Sequence, residues 1–280
     1  MALSGVGIGL RRELADALVK TSRRVDWLEL IPENVIAVHG RTEQQLERLA
    51  ERVGIASHGV ALNVAGPTPL PMELLRGIRR LDERYQFPLV SEHLCWSTTS
   101  ERNFLDLLPV PFTEAFVRHV AARVNVIQDV LGRQMLLENI SAYARMPGAE
   151  LDEGAFTRAV LAETGAGLLL DVNNVFVTAT NLGLEPLELL HSLPLESARE
   201  IHVAGHHRRH GRLVDSHGAP VADEVLALYA EALRRTGPLP TLLEWDTDIP
   251  ALDVVLDEAD RVRAVLDEAT RDLSSAGVAA

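Results

Sequence analysis

Acidic, amide and imidazole side chains recur directly after short apolar segments of this sequence. In segment 167–175, Gly-Leu-Leu-Leu is followed by Asp171 and then by the amides Asn173 and Asn174. An apolar run without alternation is typical of a strand buried on both faces, and α/β proteins place their chemistry where such strands end. A single Asp after an apolar run is more often a helix N-cap or a turn former, so the prediction depends on recurrence.

The same arrangement follows other apolar segments, and one sheet would gather all the polar groups. If the segments are parallel strands, their carboxyl ends meet at one edge. The candidates in chain order are Glu29, His58, Glu92, His93, Glu138, Asn139, Asp171, Asn173, Asn174, His202, Asp215, His217, Glu244 and Asp246.

Carboxylates and imidazoles gathered at one place need compensating positive charge. Predicted strands two to six and eight contain no Lys or Arg, which favours a divalent metal as the source of that charge. Imidazole and carboxylate ligands without thiolate favour iron, manganese or zinc. The candidates exceed the needs of one ion, and two or three ions with bridging carboxylates would use the set of Glu138, Asp171, Asp215, Glu244, His58, His93, His202 and His217.

Each candidate also has a purely structural interpretation. His58 or His93 alone is readily explained as a hydrogen-bonded core histidine, and Asp215 as a loop cap. Glu244 or Asp246 could cap the last helix. Coincidence of all these structural roles at strand ends is less probable than a shared site.

The elements that must position these residues alternate between strand and helix. Helical periodicity follows the apolar segments, and this order predicts a (β/α)8 TIM barrel, with a doubly wound sheet as the alternative. The predicted strands are 6–10, 25–31, 54–64, 88–96, 135–140, the apolar run that begins at 167 and gives way to Asp171, 200–204 and 241–245.

The length and the absence of repeats or linkers favour one domain. The chain has 280 residues, which is within the range of a single α/β barrel. We therefore predict one domain over 1–280, with 271–280 as a flexible tail.

Charge and cysteine content exclude several classes of protein. The net charge is −13, which disfavours binding to a nucleic-acid backbone. Cys95 is the only cysteine, so an internal disulfide framework or a multi-cysteine metal site is excluded, and we interpret it as a packing residue. No signal peptide or membrane-spanning run is visible, and we expect a soluble, cytoplasmic protein without membrane contact.

At these positions the sequence resembles the multinuclear non-heme iron-dependent oxidases, a family formerly classed as DUF692 or UPF0276. The resemblance extends from about Gly7 to Leu266, with the motifs in the same order. Single motifs are nonspecific, but their joint order is specific. They are Ser57-His58-Gly59-Val60, Ser91-Glu92-His93-Leu94, Leu137-Glu138-Asn139, Leu170-Asp171-Val172-Asn173-Asn174-Val175, Ile201-His202-Val203-Ala204-Gly205-His206, Asp215-Ser216-His217 and Leu243-Glu244-Trp245-Asp246.

The resemblance implies a xylose-isomerase-like barrel with two or three iron ions. It implies an O2-dependent enzyme that modifies residues, commonly cysteine, of a ribosomally made precursor peptide, together with a partner protein that presents the leader. The metal ligands implied are His58, His93, Glu138, Asp171, Asn174, His202, Asp215, His217 and Glu244. The residues implied as surrounding catalytic or substrate-contacting groups are Glu29, Glu92, Asn139, His206 and Asp246.

Two other functions remain open from the residues alone. A ring of Glu, Asp and His also suits a divalent-metal sugar isomerase or an endonuclease, although the acidic charge disfavours DNA and no lysine stands at a strand end. A non-catalytic metal-binding protein is a further possibility. The basic segment His206-His207-Arg208-Arg209-His210 is unusual at this position, and an acidic peptide is one partner that it would suit.

Overall fold

The computed structural model describes residues 2–278, and its centre is a closed barrel of parallel strands. The order around the barrel is β1-β12-β9-β8-β7-β4-β3-β2. The strands are β1 (Val6–Gly9), β2 (Trp27–Leu30), β3 (Gly54–Gly59), β4 (Val90–His93), β5 (Trp96–Thr98), β6 (Asn103–Leu108), β7 (Leu136–Glu138), β8 (Gly167–Asp171), β9 (Ala198–Ala204), β10 (His207–Arg209), β11 (Arg212–Val214) and β12 (Thr241–Glu244). The predicted barrel is therefore confirmed.

Helices return the chain between barrel strands and cover the outside of the barrel. Buried apolar side chains of strands and helices form one continuous cluster between the two layers. The helices are α1 (Arg12–Lys20), α2 (Arg41–Ala50), α3 (Met72–Tyr85), α4 (Glu114–Leu131), α5 (Glu153–Thr164), α6 (Val172–Leu182), α7 (Pro186–Ser192), α8 (Asp223–Thr236) and α9 (Leu252–Val278).

Local sequence signals fix the ends of α4. The Thr113 side chain accepts a hydrogen bond from the backbone N–H of Phe116 and caps the first turn. Gly132 follows the last turn with φ 73°, which is the left-handed conformation that favours glycine. The helix packs Val117, Val124 and Ile127 against the core.

The lower interior of the barrel is apolar and tightly packed. Trp27, Ala56 and Leu242 form a small buried cluster from three different strands. A Cβ atom at Gly7 would lie 2.3 Å from the Trp27 ring, and one at Gly9 would lie 2.8 Å from the Arg11 guanidinium. These two glycines therefore leave the space that larger neighbouring side chains occupy.

Predicted strand 54–64 ends earlier than the sequence suggests. It ends at Gly59, because the chain leaves the sheet there and buries Leu62 and Val64 from a loop. The strand predicted from 167 ends at Asp171, where its apolar run gives way to polar residues, because the Asp171 side chain caps α6 and the next residues are helical.

Two antiparallel hairpins also depart from the prediction. Strands β5 and β6 pair after β4, although predicted strand 88–96 was continuous and no strand was expected before α4. Strands β10 and β11 pair over 207–214, a segment in which no strand is predicted. Both hairpins stand at the carboxyl ends of barrel strands.

The last helix reaches into the predicted tail. Helix α9 extends to Val278, whereas residues 279–280 lie outside the described part of the chain. Flexibility of 271–280 stays a prediction. Among residues 2–278, no helix combines the length and apolar character needed to cross a bilayer.

Candidate metal centre

The side chains of His58, His93 and Glu138 converge on one point inside the barrel. His58 Nε2 lies 3.0 Å from Glu138 Oε2 and 3.2 Å from His93 Nε2. His93 Nε2 lies 3.2 Å from the same Glu138 oxygen. Ligands about 2.1 Å from a shared ion are separated by roughly 3.0–3.4 Å in octahedral or tetrahedral geometry, so this spacing suits a metal.

Glu138 also belongs to a second group of candidate ligands. Its other oxygen, Oε1, lies 3.6 Å from His202 Nδ1, which is 3.2 Å from Glu244 Oε2. Asp171 completes this group, whose members are all buried. The two oxygens of Glu138 thus face different groups, as a carboxylate that bridges two ions would.

Asp171 has both of the roles that the sequence left open. Oδ1 accepts a hydrogen bond of 2.7 Å from the Asn174 backbone N–H and so caps α6. Oδ2 is buried and has no hydrogen-bond partner within residues 2–278. The cap orients the carboxylate and leaves one oxygen available to a metal.

Asn139 and Asn174 connect the ends of β7 and β8. The Asn139 amide donates to the Asp171 carbonyl at 2.9 Å and accepts from the Asp171 N–H at 3.0 Å. Asn174 Nδ2 donates to the Asn139 carbonyl, whereas Asn174 Oδ1 is buried without a partner in the described residues. Asn139 therefore braces the site, and Asn174 presents an oxygen to it.

A third group forms after the second hairpin. His217 Nε2 lies 2.7 Å from Asp215 Oδ1, and His217 Nδ1 lies 3.3 Å from Glu244 Oε2. Asn173 donates to Asp215 Oδ1 at 2.8 Å. His217 has φ 43°, a backbone conformation that is unfavourable for residues other than glycine. Such conformations occur at functional positions, where the surrounding contacts hold the backbone in place.

Glu29, Glu200 and His202 lie deeper in the barrel and are completely buried. His202 Nε2 lies 3.3 Å from Glu29 Oε2 and 3.8 Å from Glu200 Oε1. None of the four carboxylate oxygens has a hydrogen-bond partner among the described residues. Burial and the nearby charge of Glu29 raise the pKa of Glu200 to about 7.

One arginine reaches the centre and supplies part of the positive charge for which the sequence favours a divalent metal. Arg11 Nε donates to Asp246 Oδ1 at 2.8 Å, and Arg11 NH2 lies 3.9 Å from Glu244 Oε1. Although burial opposes ionisation, Arg11 keeps the pKa of Asp246 below its usual range. Arg11 compensates this edge only, while Glu138 and Asp171 face imidazoles and other carboxylates.

Glu92 and His206 hold surrounding segments in place. Glu92 Oε2 accepts from the Leu62 N–H at 2.9 Å, and Oε1 accepts from the His93 N–H at 2.9 Å. His206 Nδ1 lies 2.8 Å from Asn173 Oδ1. Among the predicted surrounding residues, these two position loops, Asn139 joins two strands, and Glu29 and Asp246 lie beside imidazoles.

Electrostatics of the metal-free site show strong mutual dependence. Burial lowers the pKa of His58, but the carboxylates of Glu138 and Glu29 outweigh it and raise the value to about 10. Burial raises the pKa of Asp171 well above normal, and the Glu138 charge raises it further. Burial would raise the pKa of Glu138, but His93 and His58 lower it well below normal.

The unpartnered buried atoms fit a multinuclear metal site. Within the described residues the clearest cases are Asp171 Oδ2 and Asn174 Oδ1. The Glu138 oxygens, the ring nitrogens of His202 and Nε2 of His217 lie close to other candidate ligands but form no well-aligned hydrogen bond. Leaving such groups without partners costs about 1–3 kcal/mol each, and metal coordination would satisfy them. Mixed nitrogen and oxygen donors without thiolate suit iron, manganese or zinc.

A cavity outside the barrel wall does not contain these ligands. Its volume is about 470 Å³, and it lies between the segment after β6, the segment after β7, and helices α6 and α7. Apolar side chains such as Phe112, Met146 and Leu189 line it. The candidate ligands inside the barrel are therefore separate from this cavity.

The chain matches one protein family over nearly its whole length. The sequence model for the RiPP precursor modification enzymes MbnB/TglH/ChrH matches residues 5–267. The chain belongs to this family. Its members modify precursors of RiPPs, the ribosomally synthesised and post-translationally modified peptides, and the family resemblance identified from the motifs is confirmed.

Similar proteins cover almost the whole length of this family member. A UPF0276 protein of Pseudomonas aeruginosa is 45% identical over 263 residues, covering 93% of this chain and 92% of that protein. A UPF0276 protein of Acaryochloris marina is 40% identical over 265 residues, covering 95% and 96%.

Solved structures with the same fold are more distant in sequence. A xylose isomerase-like TIM barrel protein from Mycobacterium smegmatis, in complex with magnesium, has a TM-score of 0.60 at 15% identity and covers 95% of this chain and 98% of its own. An L-ribulose 3-epimerase has a TM-score of 0.59 at 15% identity, with 99% and 98% covered. These similarities confirm the xylose-isomerase-like fold.

Sequence reasoning missed Glu200 and Arg11. Glu200 precedes His202 by two residues on β9, so strand alternation places both side chains on the same face. That alternation was a usable signal. Arg11 follows β1 instead of lying within a strand, and Gly9 leaves the space that its guanidinium occupies.

Proposed function

We propose that this family member is an iron-dependent oxidase that uses O2 to modify a residue, with cysteine as the first choice, of a RiPP precursor peptide. The main support is the position of Glu138, whose two oxygens face separate groups of candidate ligands. Two or three metal ions can share ligands in this arrangement. Family membership supplies the peptide substrate class.

The proposed ligands form three adjoining groups. One consists of His58, His93 and Glu138, and Asp171, His202 and Glu244 adjoin it through Glu138. Asn174, Asp215 and His217 would complete the centre, because their unpartnered or closely spaced donor atoms lie beside Asp171 and Glu244. Bound iron would supply one-electron chemistry with O2 and would favour ionisation of a coordinated thiol.

Other residues of the chain would keep these ligands in their reactive form. Ser91 Oγ lies 2.8 Å from His58 Nδ1, and the Gly59 carbonyl lies 3.1 Å from His93 Nδ1. Such contacts fix ring orientation, so that the opposite nitrogen of each ring faces Glu138. Arg11 would hold Asp246 ionised at the edge of the site.

The proposed reactive thiol belongs to the peptide and not to Cys95. Cys95 is buried, and burial together with the charge of Glu92 raises the pKa of its thiol well above normal. A protonated, inaccessible thiol is a poor nucleophile and a poor ligand. We also propose a partner protein that presents the peptide leader, as the family resemblance implies.

The divalent-metal isomerase or endonuclease is the less favoured function. This function is supported by the ring of Glu, Asp and His side chains, but the same ring supports the proposed oxidase equally well. Membership of a peptide-modifying family favours the oxidase. The L-ribulose 3-epimerase of similar fold is only 15% identical in sequence, so it supports the fold and not the reaction. A net charge of −13 continues to oppose nucleic acid as a substrate.

One experiment separates these functions. The protein is purified without oxygen, its iron, zinc and manganese are measured, and it is mixed with a cysteine-containing peptide encoded beside its gene. We expect more than one iron per chain and a change of peptide mass only after O2 is admitted. A zinc- or manganese-loaded protein, or equal turnover without O2, would contradict the proposal.

A further inference from the structure

The second hairpin presents a basic surface beside the candidate metal centre. We call residues 207–214 the basic hairpin; it consists of β10, the turn His210-Gly211 and β11. His210 has φ 50° and Gly211 has φ 81°, the positive values of a tight two-residue turn. Arg208, Arg209 and Arg212 are exposed on this hairpin.

The hairpin is anchored firmly to the barrel. The Asn181 amide donates to the Leu213 carbonyl at 2.9 Å and accepts from the Leu213 N–H at 3.0 Å. Leu213 is buried, and the Asp215 N–H donates to the Tyr143 hydroxyl at 2.9 Å. The arginines therefore project from a fixed base.

Both ends of the hairpin are held by residues of the site. His206, just before β10, contacts Asn173, which donates to Asp215 just after β11. His207 Nδ1 lies 2.7 Å from the Ser216 hydroxyl oxygen. A ligand bound along the hairpin would thus lie next to Asp215 and His217.

The arginines are arranged at a cost to the stability of the hairpin itself. Arg209 and Arg212 are direct cross-strand partners, an arrangement in which like charges destabilise the pair. Throughout residues 2–278, no salt bridge joins Arg208, Arg209 or Arg212 to a carboxylate. Exposed arginines on the outer helices are of both kinds. Arg84 and Arg158 form salt bridges with carboxylates, whereas Arg48 and Arg80 form none within the described residues. The hairpin arginines differ from the latter by their place beside the candidate metal centre.

We propose that the basic hairpin docks an acidic segment of the peptide that the enzyme modifies. This inference rests on the proposed function for its substrate class, but it assigns a new surface and a new recognition chemistry. A chain of net charge −13 repels an acidic peptide over most of its surface, so arginines without partners beside the site give that peptide one favourable place to bind. Arginine also binds carboxylates with two parallel hydrogen bonds.

The test is a binding measurement on the full chain. The probe is a short fluorescein-labelled peptide of alternating Glu and Gly, with a Lys–Gly peptide and an oligothymidylate of equal length as comparisons. The variant Arg208→Gln/Arg209→Gln/Arg212→Gln is matched by Arg48→Gln/Arg80→Gln/Arg118→Gln, which changes the net charge equally on α2, α3 and α4. Fluorescence anisotropy is read at about 20 mM and about 300 mM salt.

We expect the hairpin variant to bind the Glu–Gly peptide roughly tenfold more weakly than the parent at low salt, whereas the matched variant changes less than about twofold. High salt should remove most of the difference. Equal losses in both variants, no salt-dependent binding by the parent, or hairpin-dependent binding that is tighter for oligothymidylate would each overturn the proposal. The assay needs neither metal nor O2, so its failure is distinguishable from failure of the oxidase proposal.

Discussion

The floor and the mouth of the barrel interior are built on the same strands but have opposite chemistry. Trp27 lies two residues before Glu29 on β2, Ala56 two before His58 on β3, and Leu242 two before Glu244 on β12. The first member of each pair packs in an apolar cluster, and the second is a buried polar side chain of the site.

This difference separates the source of stability from the source of function. Strand alternation directs residues two apart to the same side of the sheet. A move of two residues toward the carboxyl end therefore changes only how deep in the barrel the side chain lies. The apolar floor removes hydrocarbon from water and stabilises the fold. The mouth contains atoms without a hydrogen bond, which cost stability without a ligand and would gain partners from a bound metal.

The strongest test of the mouth is Glu138→Gln. The amide cannot present two anionic oxygens to the two ligand groups, so we expect bound metal to fall to background and product formation to be lost. The matched variant is Glu200→Gln, which replaces another fully buried glutamate close to His202. Metal analysis and circular dichroism should show that both variants fold and that only Glu138→Gln loses metal.

Equal metal content in the two variants would contradict the assignment of Glu138 as a bridging ligand. Asp171→Asn provides an independent check, because only Oδ1 is used in capping α6. An amide oxygen can still accept that hydrogen bond, so this variant should keep the helix and bind less metal.

The strongest test of the floor is Trp27→Ala. Trp27 is fully buried, and its ring lies over the space left by Gly7. Removing a buried aromatic ring should lower the free energy of unfolding by roughly 3–5 kcal/mol. Denaturant unfolding of metal-free protein measures this loss, and the metal content per folded chain should stay unchanged.

The sequence predicts the barrel and its mouth because both depend on repeated local signals. Apolar segments mark the buried strands, and polar residues at their ends mark the mouth, as Glu138 and Asp171 illustrate. The exact strand ends are harder to predict, since Val172 and Val175 favour a strand by type. Capping by Asp171 makes them helical instead.

The hairpins and the buried Glu200 were missed for different physical reasons. Strand β10 is only His207–Arg209, which has no apolar run to mark it, and its pairing depends on the turn and on the Asn181 contacts. Glu200 stands near the start of its predicted strand, where a charged residue is usually solvated. Only the closed barrel buries it beside Glu29 and His202.

Glu200 also predicts a pH dependence of the unfolding free energy, which distinguishes the buried acids Glu29 and Glu200 from the apolar floor. Its pKa is about 7 in the folded metal-free protein, above the ordinary value of 4.5. The folded state therefore binds more protons between these values, and stability falls as pH rises from about 4.5 to 7. Glu200→Gln removes this dependence.

We expect metal-free Glu200→Gln to match the parent near pH 4.5 and to exceed it by on the order of 3 kcal/mol at pH 8. Urea unfolding at the two pH values measures the difference. Identical pH profiles would show that Glu200 does not hold a proton in the folded protein, and that the Glu29 and Glu200 charges are compensated in another way.

Cys95 provides the smallest and most selective test of the comparison. It follows β4 close to the proposed ligand His93, yet its thiol is buried and its pKa is raised, so we place it with the floor and not with the mouth. Cys95→Ala should lower the unfolding free energy by only roughly 1 kcal/mol, the value of a small buried group. Metal content and O2-dependent product formation should equal those of the parent, and loss of either would move Cys95 into the reactive site.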